Sequence, residues 1–390
     1  MSATEIALIG CLLLVIYPYL LYPLLLALWA RLCGRAVRRT GPFPRQVSIL
    51  LCVHNEASRV ASRIEELLSQ LDRNKIDGEL IVVSDGSTDE TIARIRQGGD
   101  PRVQLIQWAE RRGKSAGLNA AARQATSPIL VLCDVRQRWA DDALLRLLEN
   151  FADPTVGAVS GELILETPTG TLAGVGLYWL YEKWIRKQES RIWAQIGVTG
   201  AIAAVRRELF RPLPPRTLLD DVYWPLRVAM AGYRVIHDER ARAYDRLPTR
   251  TQDEFLRKVR TLAGNLQLVV RLPWALIPVI NPVWWQWVSH KLLRLTVPWA
   301  LMGLLLANML LWPYLPYRLL LFLQLSSYSL GLLGLVLPRA GKSAALAASF
   351  LVLNSAAWMA WWVWLSGRAD RAWHKVSYDR QTLSQSTSSV

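Results

Sequence analysis

The fold of this 390-residue chain is decided by the stretch Pro128-Ile129-Leu130-Val131-Leu132-Cys133-Asp134. A short apolar run that begins at a proline and ends at a charged residue indicates a strand buried on both faces. In an open parallel sheet, ligands bind beyond the carboxyl ends of the strands, where Asp134 would lie. Taken alone, the stretch fits equally well a strand that ends in an ordinary turn, because aspartate is a good turn residue.

Two further β-branched runs end in the same way. Residues 79–84 lead into Asp85-Gly86-Ser87-Thr88-Asp89, and residues 47–53 lead into His54-Asn55-Glu56. Each of the three runs is followed by a plausible helix, which is the order of βαβ units and a parallel sheet. Right-handed crossovers place the carboxyl ends of such strands on one rim. We therefore predict an α/β domain in which Glu56, Asp85 and Asp134 converge on one site.

Two later loops carry charged residues of the kinds that bind phosphate or a metal ion, or accept a proton. Gly113-Lys114-Ser115 combines small residues with a lysine at a predicted helix start, which suits a phosphate, although a solvated basic loop explains it equally well. Asp220 and Asp221 follow a proline-rich loop, and adjacent carboxylates are useful near a metal or as a proton acceptor.

Two predicted helices carry unusual side chains. Residues 174–193 hold an aromatic stripe, which is usually core but could also touch a membrane surface or a sugar ring. Residues 252–267 form an amphipathic pattern with Arg257, Lys258 and Arg260 on about one and a half turns. Such a cation group is usually a solvated face; here it follows the aspartate pair and precedes apolar sequence.

Both ends of the chain are apolar and long enough to cross a membrane. Residues 6–32 predict a retained anchor rather than a signal peptide, because a basic start and a clear cleavage site are lacking. Residues 281–293 predict an amphipathic interface helix, and residues 297–311, 319–337 and 344–365 predict three spans. We expect an anchor at 1–34, a cytosolic domain at 35–270, interface helices at 271–294, spans at 295–367 and a basic tail at 368–390.

The expected location is the inner (cytoplasmic) membrane. Basic residues directly after the anchor place the central domain in the cytosol by the positive-inside rule. Three further spans would put the basic tail outside, against that rule, so the side of the tail stays open. The formal net charge of +15 fits attraction to membrane lipids and a phosphate-bearing substrate; no nucleic acid is expected, because its binding motifs are absent. The four cysteines form no close pair, and the four scattered histidines predict no zinc cluster.

The ordered set of these motifs resembles family 2 glycosyltransferases. The chain looks like their membrane-embedded branch, which includes cellulose, chitin, hyaluronan and poly-N-acetylglucosamine synthases. The resemblance covers roughly residues 47–267 and the layout of membrane segments after them. Single motifs are weak, but their order and spacing are quite specific. The resemblance implies a GT-A fold, a UDP-sugar donor, Mg²⁺ or Mn²⁺, and inversion at the anomeric carbon.

The resemblance also implies roles for individual residues. Asp85 matches the aspartate that reads the uracil edge, Lys114 the lysine near the nucleotide, and Asp134 the first metal-binding aspartate. Asp221 matches the general base, and Arg260 matches the arginine that faces the diphosphate. The remaining assignments place Glu56 with the donor-binding residues and Thr199, Gly200 and Asp220 in the acceptor region.

Three positions depart from the family pattern. Arg136 stands where the second metal aspartate would be, so the cation site lacks a ligand. The base motif reads Leu219-Asp220-Asp221, which keeps the last acid. Thr261 stands where polymerising members have a tryptophan under the acceptor sugar, which puts processivity in doubt but not transfer.

Three functions remain in competition. The leading hypothesis is inverting transfer from a UDP-sugar to a growing glycan at the membrane, in surface polysaccharide or exopolysaccharide synthesis. The first alternative is transfer of one sugar to a lipid carrier or a lipid-linked glycan. The second alternative is a non-catalytic nucleotide-binding subunit of a polysaccharide export complex, and export partners are left open. Donor sugar, acceptor and oligomeric state are not readable from the sequence.

Overall fold

A computed structural model of the chain describes residues 1–166, 173–246, 251–337 and 340–367. Within these residues, eight strands form one sheet in the order β3-β2-β1-β4-β7-β6-β8-β5. The strands are β1 (Gln46–Val53), β2 (Asp77–Asp85), β3 (Val103–Trp108), β4 (Ile129–Cys133), β5 (Arg138–Trp139), β6 (Val156–Glu166), β7 (Ala203–Arg206) and β8 (Arg234–Arg246).

Helices cover both faces of the sheet and extend beyond it. Those of the first part of the chain are α1 (Ala3–Ile16), α2 (Tyr22–Cys33), α3 (Val60–Arg73), α4 (Thr91–Gln97), α5 (Lys114–Gln124), α6 (Ala143–Glu149) and α7 (Ala173–Ile192). Those of the second part are α8 (Asp220–Met230), α9 (Thr251–Arg271), α10 (Trp284–Gln286), α11 (Leu293–Leu310), α12 (Leu315–Val336) and α13 (Lys342–Leu365).

The predicted parallel strands are confirmed. β1 pairs in parallel with β2 on one side and with β4 on the other, and β3 extends the parallel region beyond β2. All five residues of β4 are buried. One face of the sheet packs on α3 and α6, and the other on α5 and α8, so both faces need apolar side chains. The loops after β1, β2 and β4 therefore meet at one rim.

The second half of the sheet is not parallel throughout. β7 runs antiparallel to both β4 and β6, and β6 runs parallel to β8. β7 has only four residues and is rich in alanine, so it carries no strong strand pattern. Because β7 reverses direction beside β4, the polypeptide before it, which includes Thr199 and Gly200, reaches the same rim as Asp134.

Four helical runs are long and apolar enough to cross a membrane, judged by length and composition over the described residues: Ala3–Cys33, Trp284–Leu310, Leu315–Val336 and Lys342–Leu365. The sequence predicts a separate interface helix at 281–293 followed by a span. Instead, α10 and α11 form one continuous run, because a π-helical turn at Trp287–Leu292 joins them. The predicted tail at 368–390 lies outside the described residues.

These four apolar runs, the membrane-type helices, contact the sheet domain directly. α13 packs against α9, where Val259 and Ala263 meet Ala356 and Ala360. α7 packs against α2 and α13, and its Ile185 is buried with Tyr22 of α2. The two helices that flank the rim, α7 and α9, are thus held by the membrane-type helices.

Candidate active site

Asp85 ends β2 and is held by the loop before α5. Its two carboxylate oxygens accept hydrogen bonds from the backbone N–H groups of Arg112, at 2.6 Å, and Gly113, at 2.9 Å. Gly86 makes the turn possible with φ +65°, and a Cβ there would lie 2.6 Å from the backbone nitrogen of Arg111. The Asp85 carboxylate is only 5% exposed, and its orientation is fixed. Its remaining lone pairs can accept further N–H groups.

The loop after β1 is tied to the loop after β2. His54 Nδ1 donates to the carbonyl oxygen of Asp85 at 2.7 Å, and Asn55 Oδ1 accepts the Thr88 N–H at 2.8 Å. Glu56 lies in this loop, and its carboxylate pairs with Arg59 at 3.2 Å. The structure thus places Glu56 at the predicted rim, where it forms an ion pair with the start of the following helix.

Lys114 lies at the first position of α5 and reaches two carboxylates. Its Nζ is 2.8 Å from Asp134 Oδ1 and 3.4 Å from Asp220 Oδ2. Burial alone would lower the pKa of Lys114, but the negative charges of Asp134 and Asp220 outweigh it and hold that pKa well above its ordinary value. Lys114 is therefore a permanent cation at the centre of the rim.

Asp134 follows β4 directly and has open space on one side. A Cβ built on Gly200 would lie 3.2 Å from Asp134 Oδ2 and 3.6 Å from Lys114 Nζ, which is tighter than most real contacts. The missing side chain leaves room for a ligand oxygen beside the carboxylate. Among the described residues, no three His, Cys, Asp or Glu side chains are placed to hold a metal ion together. One carboxylate still fits Mg²⁺ or Mn²⁺, because such ions commonly take one or two carboxylates and complete their shell with substrate phosphates and water.

Arg136, which stands where the resemblance implies a second metal aspartate, pairs with another part of the sheet. Its guanidinium pairs with Asp245 on β8 at 2.7 Å, and Gln137 donates to the same Asp245 oxygen at 3.0 Å. Asp245 is only 7% exposed. The ion pair joins the turn after β4 to β8, so Arg136 has a structural contact here.

Asp220 and Asp221 begin α8. The carbonyl oxygen of Asp221 accepts the Val198 N–H at 2.8 Å, which joins this helix start to the loop that carries Thr199 and Gly200. Burial and the neighbouring charge of Asp220 raise the pKa of Asp221 to about 6. A carboxyl group in that range accepts a proton effectively near neutral pH, because it is largely ionised but still basic.

Arg260 approaches the acids from α9. Burial lowers the pKa of Arg260, whereas the negative charges of Asp221, Asp220 and Asp134 act in the opposite direction. Arg260 is thus close enough to these three carboxylates for their charges to act on it, and its assignment to the diphosphate stays a prediction. Thr261, the next residue, is exposed, and its hydroxyl donates to the Arg257 carbonyl oxygen of its own helix at 2.9 Å.

The predicted acceptor residues Thr199, Gly200 and Asp220 line a small pocket together with Lys114, one of the predicted donor residues. Thr199 is anchored there because its N–H donates to Ser160 Oγ at 3.0 Å. The lining includes Lys114, Thr199, Gly200, Asp220, Asp221 and Trp224. The assignments of roles to these residues stay predictions, but their convergence on one rim is a feature of the structure.

Three residues of this region were not predicted from the sequence. Trp224 closes the pocket, Asp245 holds Arg136, and Arg186 of α7 lies near enough to Asp221 for its charge to act on that carboxyl group. Trp224 and Asp245 carry no local signal. Arg186 stands four residues after Glu182 and three before Glu189, and this charge spacing on an aromatic helix was a readable signal.

Comparisons with known proteins agree with this geometry. Residues 48–213 match the family model described as glycosyl transferase family 2. A poly-beta-1,6-N-acetyl-D-glucosamine synthase of Staphylococcus aureus (strain COL) is 22% identical over 234 residues, which are 58% of this chain and 56% of that protein. An N-acetylglucosaminyltransferase of Rhizobium meliloti (strain 1021) is 29% identical over 215 residues, 50% of this chain and 49% of that protein. The chain thus spans about half the length of these curated relatives.

A solved structure extends the likeness over nearly the whole chain. The mannosyltransferase PcManGT from Pyrobaculum calidifontis, in complex with GDP-Man and Mn²⁺, has a TM-score of 0.72 and 25% sequence identity. The match covers 94% of this chain and 99% of that one. The mixed sheet with its helical layers is therefore a GT-A fold, as predicted. Residues 48–213, somewhat less than half of the chain, match a glycosyl transferase family 2 domain.

Proposed function

We propose that the chain transfers a sugar from a nucleoside diphosphate sugar to an acceptor at the membrane, with inversion at the anomeric carbon. The observation that carries this proposal is the meeting of Lys114, Asp134, Asp221 and Arg260 at the carboxyl ends of the parallel strands. Cations, one open carboxylate and one carboxyl group of raised pKa are the parts that such a transfer needs.

The residues divide the chemistry between them. Negative charge builds on the leaving diphosphate as the sugar–phosphate bond breaks, and Lys114 and Arg260 offset it electrostatically. Asp134 would hold a divalent cation, which supplies further positive charge to the diphosphate when bound. Asp221 accepts the proton of the attacking hydroxyl group, and Asp220 holds Lys114 in place. PcManGT carries Mn²⁺, which supports a divalent ion here as well.

UDP is the donor nucleotide that we expect first, with GDP as its competitor. Asp85 is positioned to accept N–H groups from a base, and both uracil and guanine present such groups. For this chain, the likeness to a poly-beta-1,6-N-acetyl-D-glucosamine synthase favours an N-acetylglucosamine donor, whereas the likeness to PcManGT, solved in complex with GDP-Man, favours a GDP-linked donor. Whether the chain binds UDP or GDP must therefore be measured.

A second candidate is the transfer of one sugar to a lipid carrier or a lipid-linked glycan. Thr261 offers far less contact area to an acceptor sugar than the tryptophan of polymerising relatives. The likeness to a mannosyltransferase also covers nearly the whole chain, whereas the polysaccharide synthase match covers little more than half. The leading hypothesis from the sequence is the growth of a long glycan. Product length distinguishes it from the transfer of a single sugar.

The membrane setting completes the proposal. We infer an inner (cytoplasmic) membrane location with the sheet domain in the cytosol, because basic residues follow the first membrane-type helix directly. Membrane lipids and export proteins are the partners to look for. A non-catalytic nucleotide-binding subunit is the remaining alternative.

One assay tests these proposals together. Purified protein in lipid nanodiscs is given a panel of radiolabelled UDP-sugars and GDP-sugars, with Mg²⁺, Mn²⁺ or EDTA, and a membrane lipid extract as the acceptor source. We expect metal-dependent transfer from one donor class, with product length read on a gel. Binding of nucleotide without any transfer would favour the non-catalytic alternative, and absence of nucleotide binding would contradict all three functions.

A further inference from the structure

Glu189 of α7 is fully buried and holds groups from three distant parts of the chain. Its Oε1 accepts the Tyr22 hydroxyl of α2 at 2.7 Å and lies 2.8 Å from His290 Nδ1 in the membrane-type run Trp284–Leu310. Its Oε2 accepts the backbone N–H of Ile196 at 3.2 Å. A buried carboxylate is costly unless its oxygens are paired, so these three contacts favour one arrangement of the segments that make them. The proposed transfer mechanism gives this group no role.

The backbone N–H that Glu189 holds is the first of the loop that carries the predicted acceptor residues. In this acceptor loop, residues 196–200, the Val198 N–H donates to the carbonyl oxygen of Asp221 at 2.8 Å. Gly197 has φ +87°, and a Cβ there would lie 3.2 Å from the same carbonyl oxygen, so the loop passes close to the start of α8. The acceptor loop is therefore held from two sides, by a carboxylate of α7 at its first amide and by the backbone of the candidate base at its third.

The membrane-type run is tied to α7 at a second carboxylate. His290 Nε2 lies 3.0 Å from Glu182 Oε2, and Glu182 also pairs with Arg294. Glu182 and Glu189 are seven residues apart, which places them on one face of the helix about two turns from each other. Both ring nitrogens of the buried His290 thus contact this face. The run cannot slide along α7 without breaking both contacts.

The donor side of the site is held by other contacts. Asp85 is fixed by the loop before α5, and Lys114 is fixed by Asp134 and Asp220, all within the sheet domain. The membrane side, which comprises the acceptor loop and the helices α7 and α9, depends instead on packing against the membrane-type helices. A change at Glu189 should therefore reach the acceptor loop and the candidate base but leave nucleotide binding intact.

We propose that Glu189 is a positioning residue that couples the docking of the membrane-type run to the geometry of the acceptor loop and the candidate base. This inference rests on the proposed function, since it concerns the same transfer reaction. One oxygen of Glu189 holds the run through His290, and the other holds the loop through Ile196. The loop therefore keeps its place beside Asp221 only while the run is docked on α7. The membrane side of the site is assembled by the membrane-type helices, whereas the donor side is assembled by the sheet.

Hydrogen exchange measured by mass spectrometry tests this coupling in the full chain, held in lipid nanodiscs. We expect Glu189→Gln and His290→Gln each to speed exchange in residues 194–202 at least about tenfold, the effect of losing one hydrogen bond to a charged group. Strand β4 should exchange as it does in the unmodified protein. His290→Gln is the decisive variant, because among the described residues His290 has no hydrogen bond to the loop itself. The matched control is Glu239→Gln, an exposed residue that pairs with Lys187 of α7 at 2.8 Å and should leave loop exchange unchanged.

Kinetics and binding separate this role from a general loss of stability. In Glu189→Gln, kcat/KM for the acceptor should fall at least about tenfold, whereas the dissociation constant of the nucleotide in the presence of Mn²⁺ should stay unchanged. Tyr22→Phe removes a donor from the same carboxylate but leaves the contacts of Glu189 with the run and the loop. It should therefore speed loop exchange less than His290→Gln does.

Three results would overturn the inference. Unchanged loop exchange in His290→Gln would show that the run does not act on the loop. Equal acceleration by Tyr22→Phe would assign the effect to the burial of Glu189 rather than to the run. Faster exchange of β4 or weaker nucleotide binding, to the same extent as the change in the loop, would mean that the run stabilises the whole domain. Absence of transfer by the unmodified protein would refute the proposed function instead, and the exchange comparison would still decide on the coupling.

Discussion

The donor side and the membrane side of the site differ in how their charges are held. On the donor side, Asp85 accepts two backbone N–H groups, and Lys114 lies between two carboxylates. On the membrane side, Arg186 has no ion pair among the described residues, and Thr261 is exposed on its own helix. The donor side is thus preorganised by the sheet before any ligand arrives, whereas the membrane side leaves charge and contact area for a second substrate.

Removal of the candidate base tests this division most strongly. Asp221→Asn should lower turnover by roughly 10²–10⁴-fold, the range for a lost general base, while nucleotide binding stays nearly intact. The measurement pairs steady-state transfer with calorimetry of nucleotide binding. Asp141→Asn is the control, because Asp141 is exposed and pairs with Arg73, another exposed residue, at 2.6 Å. Turnover near that of the control would remove Asp221 from the mechanism.

Removal of the open carboxylate should disturb the donor side alone. Asp134→Ala should abolish the gain in nucleotide affinity on adding Mn²⁺, because Asp134 is the predicted metal ligand and Arg136, two residues later, is a cation that pairs with Asp245. Loss of even an outer-sphere partner costs about 10–100-fold in metal affinity, so a direct ligand should cost at least that. Nucleotide is titrated with and without Mn²⁺, and Asp221→Asn should keep the gain. A metal-dependent gain that survives in Asp134→Ala would contradict the assignment.

The pH dependence of transfer tests Asp221, which lies between the donor side and the membrane side. The pKa of Asp221 is raised to about 6, so below that pH the carboxyl group is protonated and does not accept a proton. We expect kcat/KM to fall about tenfold per pH unit below about pH 6 and to level off above it. Asp221→Asn should lose this limb. A profile that stays flat down to pH 4.5 would show that the group does not limit catalysis.

The smallest effect concerns the acceptor contact at Thr261. Thr261→Trp should lengthen products by a few-fold, because an indole offers a flat face on which a sugar can rest. Product length is compared at a large excess of acceptor over enzyme, with Leu256→Trp, an exposed position on the same helix, as the control. Long chains made by the unmodified protein while most acceptor stays unextended would mean that it is processive despite Thr261, and single-sugar transfer would then be rejected.

The two sides also differ in how far the sequence predicts them. The donor side follows from local patterns: the strand before Asp134 is apolar on both faces, and parallel strands must bring Asp85 and Asp134 to one rim. The membrane side, and the contact of Arg136 beside Asp134, depend on pairs between distant segments. Arg136 meets Asp245 across 109 positions of the chain, and His290 meets Glu182 across 108. No local periodicity encodes such pairs. The antiparallel strand β7 was not predicted, because its four alanine-rich residues carry no strand pattern.

The most direct test of the account is a structure of the protein with Mn²⁺ and a hydrolysis-resistant analogue of the donor that the transfer assay selects. We expect the nucleotide base to donate to Asp85, the diphosphate to lie between Asp134 and Arg260, and the anomeric carbon to face Asp221. The sugar should then point to the side of Arg186 and the membrane-type helices. A nucleotide bound away from Asp85, or an anomeric carbon shielded from Asp221 by the diphosphate, would contradict the assignment of the two sides.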